Sequence, residues 1–321
     1  MITGVGVVAP SGIGADAHWK CVLAGQNRIG RITLFDPDRY PSRLAGEVAD
    51  FDALHYTESR QLVQTDRWTH LGFAAARLAL ADAGLPELAA DPYEYGVTLA
   101  SSSGGNLFGQ RELQRLWRGP ARTVGAYQSI AWFYAASVGQ LSIRHQFKGP
   151  CGVLAAESAG GLDSLAHAVR MIRRGTPVVL AGGTECPLSP YALTCQMRGG
   201  LLSTCPEPAL AYRPFDVAAS GYVPGRAARS SSSRTGARPR PGCAAMPRSP
   251  AGVPATTPGT PTGSPRATRC STPGRCGSPW TGPGWLRRRW TWSSRTRSAY
   301  SATTAPRPRR SAACSGYGRR R

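Results

Sequence analysis

Short apolar runs alternate with amphipathic stretches along residues 1–225, and the spacing predicts the elements. Residues 4–8 and 95–100 read as strands, as do 152–156 and 177–181, the last closed by Gly182 and Gly183. Residues 66–83 read as a long helix, because Leu71, Ala75, Leu78 and Asp82 recur at helical spacing and Gly84 stands where a helix stops. Further helices are expected over 110–117, 128–146 and 160–174. Alternation of this kind predicts an α/β fold whose strands are covered on both faces.

The pattern ends at Gly225. Residues 226–321 contain no Ile, Phe, Asn or Gln, one Leu and one Val, against 13 Pro and 11 Gly. Such a segment cannot bury enough apolar surface to offset its ordering entropy, so the expectation is a globular part, 1–225, followed by a disordered tail, 226–321. The tail's Arg, Pro, Gly, Ala, Ser and Trp are what a GC-rich gene yields when read off its frame. Residues 226–235 can be encoded so that reading two bases later gives Gly-Gly-Ala-Ile-Leu-Val-Leu-Glu-Asp, a well-formed buried strand. A natural basic tail is the alternative.

Charge follows the same division. The formal net charge is +21, but 20 of the 39 Lys and Arg lie in 226–321, which has no acid. Residues 1–225 hold the other 19 with all 18 acids, a net of +1. A uniformly basic protein is excluded; binding of nucleic acid through the tail alone is a rival reading, without a base-reading motif and with steep salt dependence. No run of about 18 apolar residues predicts a membrane span, and the N-terminus lacks the pattern of a secretion signal. The nine cysteines include no CxxC pair, and the five in residues 1–225 suit reduced thiols, so the expected compartment is the cytoplasm, with no metal.

One segment carries candidate chemistry. Residues 149–163, GPCGVLAAESAGGLD, run from a strand through a turn of small residues into a helix. That geometry exposes the turn residue, Ser158, at a helix N-terminus, where developing negative charge is favoured, as acyl-transfer enzymes present a nucleophile. A serine needs a base, and no histidine follows His167, which lies nine residues on and over two helical turns away. A helix N-cap without chemistry is the bland alternative for Ser158. Gly4-x-Gly6-x-x-Ala9 imitates a dinucleotide fingerprint, but Pro10 and the loop residues after it replace the required helix start, so no cofactor is expected. His70 reads as packed or surface, and Trp132, Phe133 and Tyr134 as core or interface.

The chain resembles the thiolase superfamily, specifically the β-ketoacyl synthases of type II polyketide systems. The resemblance runs through ITGVGVVAPSGIG, FDPDRYPSRLAGEV (35–48), QTDRWTHLGFAAARLALADAGL (64–85), LASSSGGNLFGQRELQRLW (99–117), YQSIAWFYAASVGQLSIRH (127–145), RRGTPVVLAGGTE (173–185) and YRPFDVAASGYVPG (212–225). It stops at Gly225, where the family continues with Glu-Gly-Gly and an apolar strand. The family's condensing subunit carries Cys at the elbow; its non-condensing partner, the chain length factor, typically reads Ala-Glu-Gln-Ala-Gly-Gly-Leu-Asp. This chain has Ala156-Glu157-Ser158-Ala159-Gly160-Gly161-Leu162-Asp163, which differs from the chain length factor only at Ser158.

The resemblance implies the N-terminal half of an αβαβα layered fold and a heterodimer with a condensing ketosynthase. It implies action on chains carried by acyl carrier protein, with no nucleic acid, membrane or cofactor involved. It also implies that Asn106, Gly109 and Leu113, at i, i+3 and i+7 on one helix face, line the tunnel that limits chain growth, with small side chains leaving room. An ordinary amphipathic face is the bland reading of those three, and an active synthase or acyltransferase using Ser158 is the rival activity.

Overall fold

The computed structural model describes residues 1–118, 120 and 123–234. Strand β1 (Ile2–Ala9) turns back into the two-residue β2 (Gly12–Ile13), and α1 (Ala15–Leu23) follows. A small hairpin of β3 (Ile29–Arg31) and β4 (Leu44–Gly46) leads to α2 (Ser59–Gln64) and α3 (Arg67–Asp82). Then come β5 (Tyr95–Ala100), α4 (Asn106–Arg118), α5 (Gln128–Ala131), α6 (Ala136–His145) and β6 (Cys151–Leu154). The chain continues through α7 (Gly160–Arg173), β7 (Val178–Glu185), α8 (Pro190–Met197) and β8 (Ala227–Arg234). Six strands form one mixed sheet in the order β2-β1-β8-β7-β5-β6, with β5, β6 and β7 mutually parallel and β8 antiparallel to both its neighbours.

Period-two alternation along β7 sorts the two faces. Val178 and Leu180 pack with Phe73, Leu80, Val97, Leu99 and Leu141 beneath α3 and α6, whereas Val179 and Ala181 pack with Ala168 and Met171 of α7. The long helix is α3 because Asp66 caps it, accepting from the Trp68 N–H, and Gly84 (φ 61°) follows its end in the left-handed region. It lies close on β1 because Gly6 is bare: a Cβ there would stand 2.0 Å from the Ala75 carbonyl oxygen. The sheet between helices is the layered α/β arrangement expected.

Three expectations need correction. The helix over 128–146 is two helices, broken at residues 132–135. The strand ending before Gly182 runs on to Glu185, since both glycines pair with β8 as well as β5. The third concerns the boundary at 225. Residues 227–234, placed in the disordered tail, form the strand between β1 and β7, and Ser230, Ser231, Ser232 and Ser233 are all buried. The open hydrogen-bonding edges of β1 and β7 recruit backbone irrespective of side chain, since a buried N–H or C=O must be paired. Burial of the hydroxyls is met locally: Ser231 Oγ donates to the Ala181 carbonyl at 3.3 Å, and Ser232 Oγ lies 2.9 Å from Thr3 Oγ1. The rest of the expected tail, from residue 235, lies outside the described residues.

Candidate functional site

The carboxyl ends of three parallel strands converge where the elbow leaves the sheet, the edge at which open α/β sheets hold their ligands. After β6 the chain makes a 3-10 turn over Glu157–Ala159 and enters α7 at Gly160. Glu157 has φ 42°, a left-handed backbone that costs a non-glycine residue about 1–2 kcal/mol. Its N–H donates to Ser102 Oγ at 2.9 Å. Ser102 and Ser103, just after β5, turn their backbone N–H groups onto the Glu185 carboxylate at the end of β7, and the Ser103 hydroxyl donates to it too. The elbow is thereby tied to the end of β5, which is itself tied to the end of β7.

Ser158 sits exposed at the tip of this turn, and its hydroxyl has no hydrogen-bond partner among the described residues. The histidine nearest in sequence is held elsewhere. Bare Gly152 makes room for the His167 ring, whose Nδ1 lies 3.1 Å from Thr98 Oγ1 within the layer between α7 and the sheet. Ser164 Oγ donates to the Thr98 carbonyl and accepts from the Gly182 N–H, pinning α7 to two strands at once. Nothing in this set takes a proton from Ser158. Tyr222 borders the elbow, its hydroxyl donating to Gln196 Oε1 at 3.3 Å; burial and the nearby Glu157 carboxylate push its phenol above the usual range.

Asn106, Gly109 and Leu113 lie on α4 with unlike surroundings. Gly109 is buried, Asn106 half-buried and Leu113 43% exposed. The room at Gly109 is already taken: a Cβ there would stand 2.9 Å from Cδ1 of Trp132, in the break between α5 and α6. Gly105 N–H donates to the Trp132 carbonyl at 3.0 Å, so the two segments are fastened by backbone beside the indole. A cavity of about 520 Å³ lies along another edge of α4, against Leu107, Phe108 and Arg111, and none of the three predicted residues lines it. Ser102, Ser103, Glu185 and Tyr222 are the site residues that sequence reasoning missed; the serine run after a buried strand was the available signal. Among the described residues no group of three or more His, Cys, Asp or Glu side chains could hold a metal ion, and no helix is long and apolar enough to cross a membrane.

Residues 1–228 match the family described as "Beta-ketoacyl synthase, N-terminal domain". The chain is 55% identical over 226 residues to a putative polyketide β-ketoacyl synthase 2 of Streptomyces cyaneus, covering 70% of this chain and 54% of that one. It is 50% identical over 227 residues to the tetracenomycin polyketide synthase ketoacyl synthase beta subunit of Streptomyces glaucescens, covering 70% of this chain and 55% of the relative. Against the alpha subunit of the same synthase the identity is 35% over 234 residues. The chain therefore spans about half the length of the curated relatives it matches. Among solved structures, the ishigamide ketosynthase/chain length factor superposes with a TM-score of 0.64 at 25% identity, over 72% of this chain and 57% of that one. A β-ketoacyl synthase from Burkholderia phymatum gives 0.65 at 27% identity, over the same shares. A strand, turn and helix that present residue 158 at the sheet's carboxyl edge, within a fold and a sequence shared from residue 1 to 228, make this chain a member of the β-ketoacyl synthase family, with its thiolase-like fold.

Proposed function

We propose that this chain is a chain length factor, the non-condensing ketosynthase-like subunit of a type II polyketide synthase. It pairs with a condensing ketosynthase that supplies the nucleophilic cysteine, and together they extend a chain held on acyl carrier protein by decarboxylative condensation. The observation that carries the reading is the elbow: a lone, exposed serine hydroxyl without a base stands where the condensing nucleophile would be. The higher identity to the beta than to the alpha subunit of one synthase supports it.

On this reading α4 forms part of the wall against which the growing chain ends, and the indole of Trp132, resting on Gly109, sets that wall's position. A phenyl ring at 109 must displace the indole, and deforming a close-packed wall costs about 1–3 kcal/mol. Each 1.4 kcal/mol is a tenfold factor, so release gains on further extension by about one to two decades.

The test is reconstitution with a condensing ketosynthase and acyl carrier protein, using the chain continued in the frame that restores the apolar strand. An acyl thioester should label the condensing partner and leave Ser158 unmodified, and Gly109→Phe should shift products to shorter polyketides while early condensations continue. Acylated Ser158 would establish the rival reading of an active synthase or acyltransferase. Unchanged products from an intact complex would remove α4 from the wall.

A further inference from the structure

Away from the elbow, the turn between β1 and β2 carries a serine–histidine pair that the site above does not use. Ala9 pairs with Gly12, so Pro10 and Ser11 are the two turn residues. Ser11 Oγ lies 2.6 Å from Nδ1 of His18, near the start of α1, and both residues are half-buried. In the tautomer with its hydrogen on Nε2, the imidazole accepts the Ser11 hydroxyl at Nδ1. Nε2 has no protein partner among the described residues.

The surrounding backbone fixes this contact from both sides. Pro10 has a locked φ and rests on bare Gly46 of β4, where a Cβ would stand 3.0 Å from the proline Cγ. Gly12, at φ 143°, lies against α1: a Cβ there would stand 2.9 Å from Ala17 Cβ and 3.0 Å from the His18 backbone nitrogen. A bare residue lets the turn come this close, and the closeness brings the hydroxyl to the ring. Gly14, whose N–H donates to the Val7 carbonyl at 2.8 Å, borders open space: a Cβ there would meet no atom within 4 Å. Helix α1 starts at that point without a side-chain cap, so its first N–H groups are available to negative charge.

We infer that Ser11 and His18 form an acyl-accepting site distinct from the elbow, with an activated ester or a thioester as the donor. A serine is a weak nucleophile until an adjacent base takes its proton, and hydrogen-bond reach between the two is the first requirement. Ser11 Oγ bonds to the acyl carbon while its proton passes to His18 Nδ1. The bond from that carbon to the leaving sulfur or oxygen then breaks, and the leaving group departs with the proton. Water, deprotonated by the same imidazole, cleaves the acyl-serine to a carboxylic acid and restores the hydroxyl. The positive end of α1 favours the oxyanion formed at each attack. The site stands independently of the function proposed for the elbow.

Reaction of the full 321-residue chain with an alkyl fluorophosphonate, followed by peptide mapping, tests the pair. Attack of the serine on phosphorus expels fluoride and leaves a stable adduct, which should sit on Ser11. Treatment with p-nitrophenyl acetate should place an acetyl group on the same residue. His18→Ala should slow phosphonylation of Ser11 about a hundredfold, the low end of what a general base contributes, and added imidazole should restore part of the rate. His18→Gln keeps a hydrogen-bond acceptor but no base, and should be as slow. Gly12→Val pushes the turn off α1 and should slow the reaction as well. An adduct on another serine in place of Ser11, no adduct at all, or an undiminished rate in His18→Ala or His18→Gln overturns the site.

Discussion

His70 shows how far a single side chain departs from what its letter conveys. In sequence it is a histidine on an apolar helical stretch, read as packed or exposed. In the fold, burial and the neighbouring Arg67 push its pKa down to about 4, so the neutral imidazole is the form the structure accepts. The unfolded chain keeps the ordinary value of about 6.5. The unfolded state therefore binds the proton more readily, and stability present above pH 6.5 drains away as the pH falls towards 4. A shift of that size corresponds to about 3 kcal/mol across the window. Asp66, whose carboxyl is pushed up by burial, acts in the opposite sense, and the depressed His145 in the same sense as His70. Both are shared by a His70→Gln variant, so the difference between the two proteins isolates His70. Denaturant unfolding should show the parent losing stability more steeply than His70→Gln between pH 6.5 and 4; parallel curves would refute the assignment. Gly109 taught the converse lesson: its bareness was legible, but the tryptophan that fills the room comes from 23 positions later, and helical spacing contains no such long-range information.

At the level of elements, the strongly periodic segments were legible and the locally weak ones were not. Tyr95–Ala100 was read to its ends, and α3 and α7 to within a residue, because their apolar spacing, cap and flanking glycines agree. The break between α5 and α6 escaped notice because Trp132, Phe133 and Tyr134 look like a helix's apolar face; all three are substantially exposed. Strand β8 was invisible for a stronger reason. A run of serines has no hydrophobic alternation, and the sheet's demand for a backbone partner decides its conformation instead. The slot it fills is nevertheless a central one, with Ser230 to Ser233 at 7% exposure or less. Those four positions are where the alternative reading frame places Ile, Leu, Val and Leu. Burying such side chains contributes about 1.5–3 kcal/mol each at most, reduced here by the close approach of α3. The variant carrying Ser230→Ile, Ser231→Leu, Ser232→Val and Ser233→Leu should therefore be more stable by at least about 2 kcal/mol. A denaturant midpoint equal to or below the parent's would show that the slot is shaped for serine.

The whole molecule presents surface that its described elements do not cover. Leu162 on α7 is 75% exposed, Val169 is also open on that helix, and Leu201, Tyr212, Phe215 and Val217 stand out from the segment before β8. Large apolar side chains left this open suit an interaction face better than a finished exterior. The likeness to relatives ends within residues 225–228, about halfway along their length, and the change of composition falls at the same place. Arg226 fits a lost base: AGG, an arginine codon, is the glutamate codon GAG without its first letter followed by the G of a glycine codon. On that account the open side chains of α7 and of the segment before β8 belong against a second half of the fold, and on the proposed function the exposed aromatic segment at 132–134 is the surface offered to a condensing subunit. Restoring the frame after Gly225 should then give a protein that stays in solution and copurifies with a condensing ketosynthase, whereas the 321-residue chain should pair weakly or aggregate. An obligate interface of this type buries well over 1,000 Å², roughly the minimum for a stable specific contact, and half a fold cannot present it in register. Coexpression of each form with the same tagged ketosynthase, followed by affinity capture and size-exclusion chromatography, separates the outcomes. Equal recovery of both forms in the complex would mean that residues 226–321 complete the fold as they stand, and the frame account would fall.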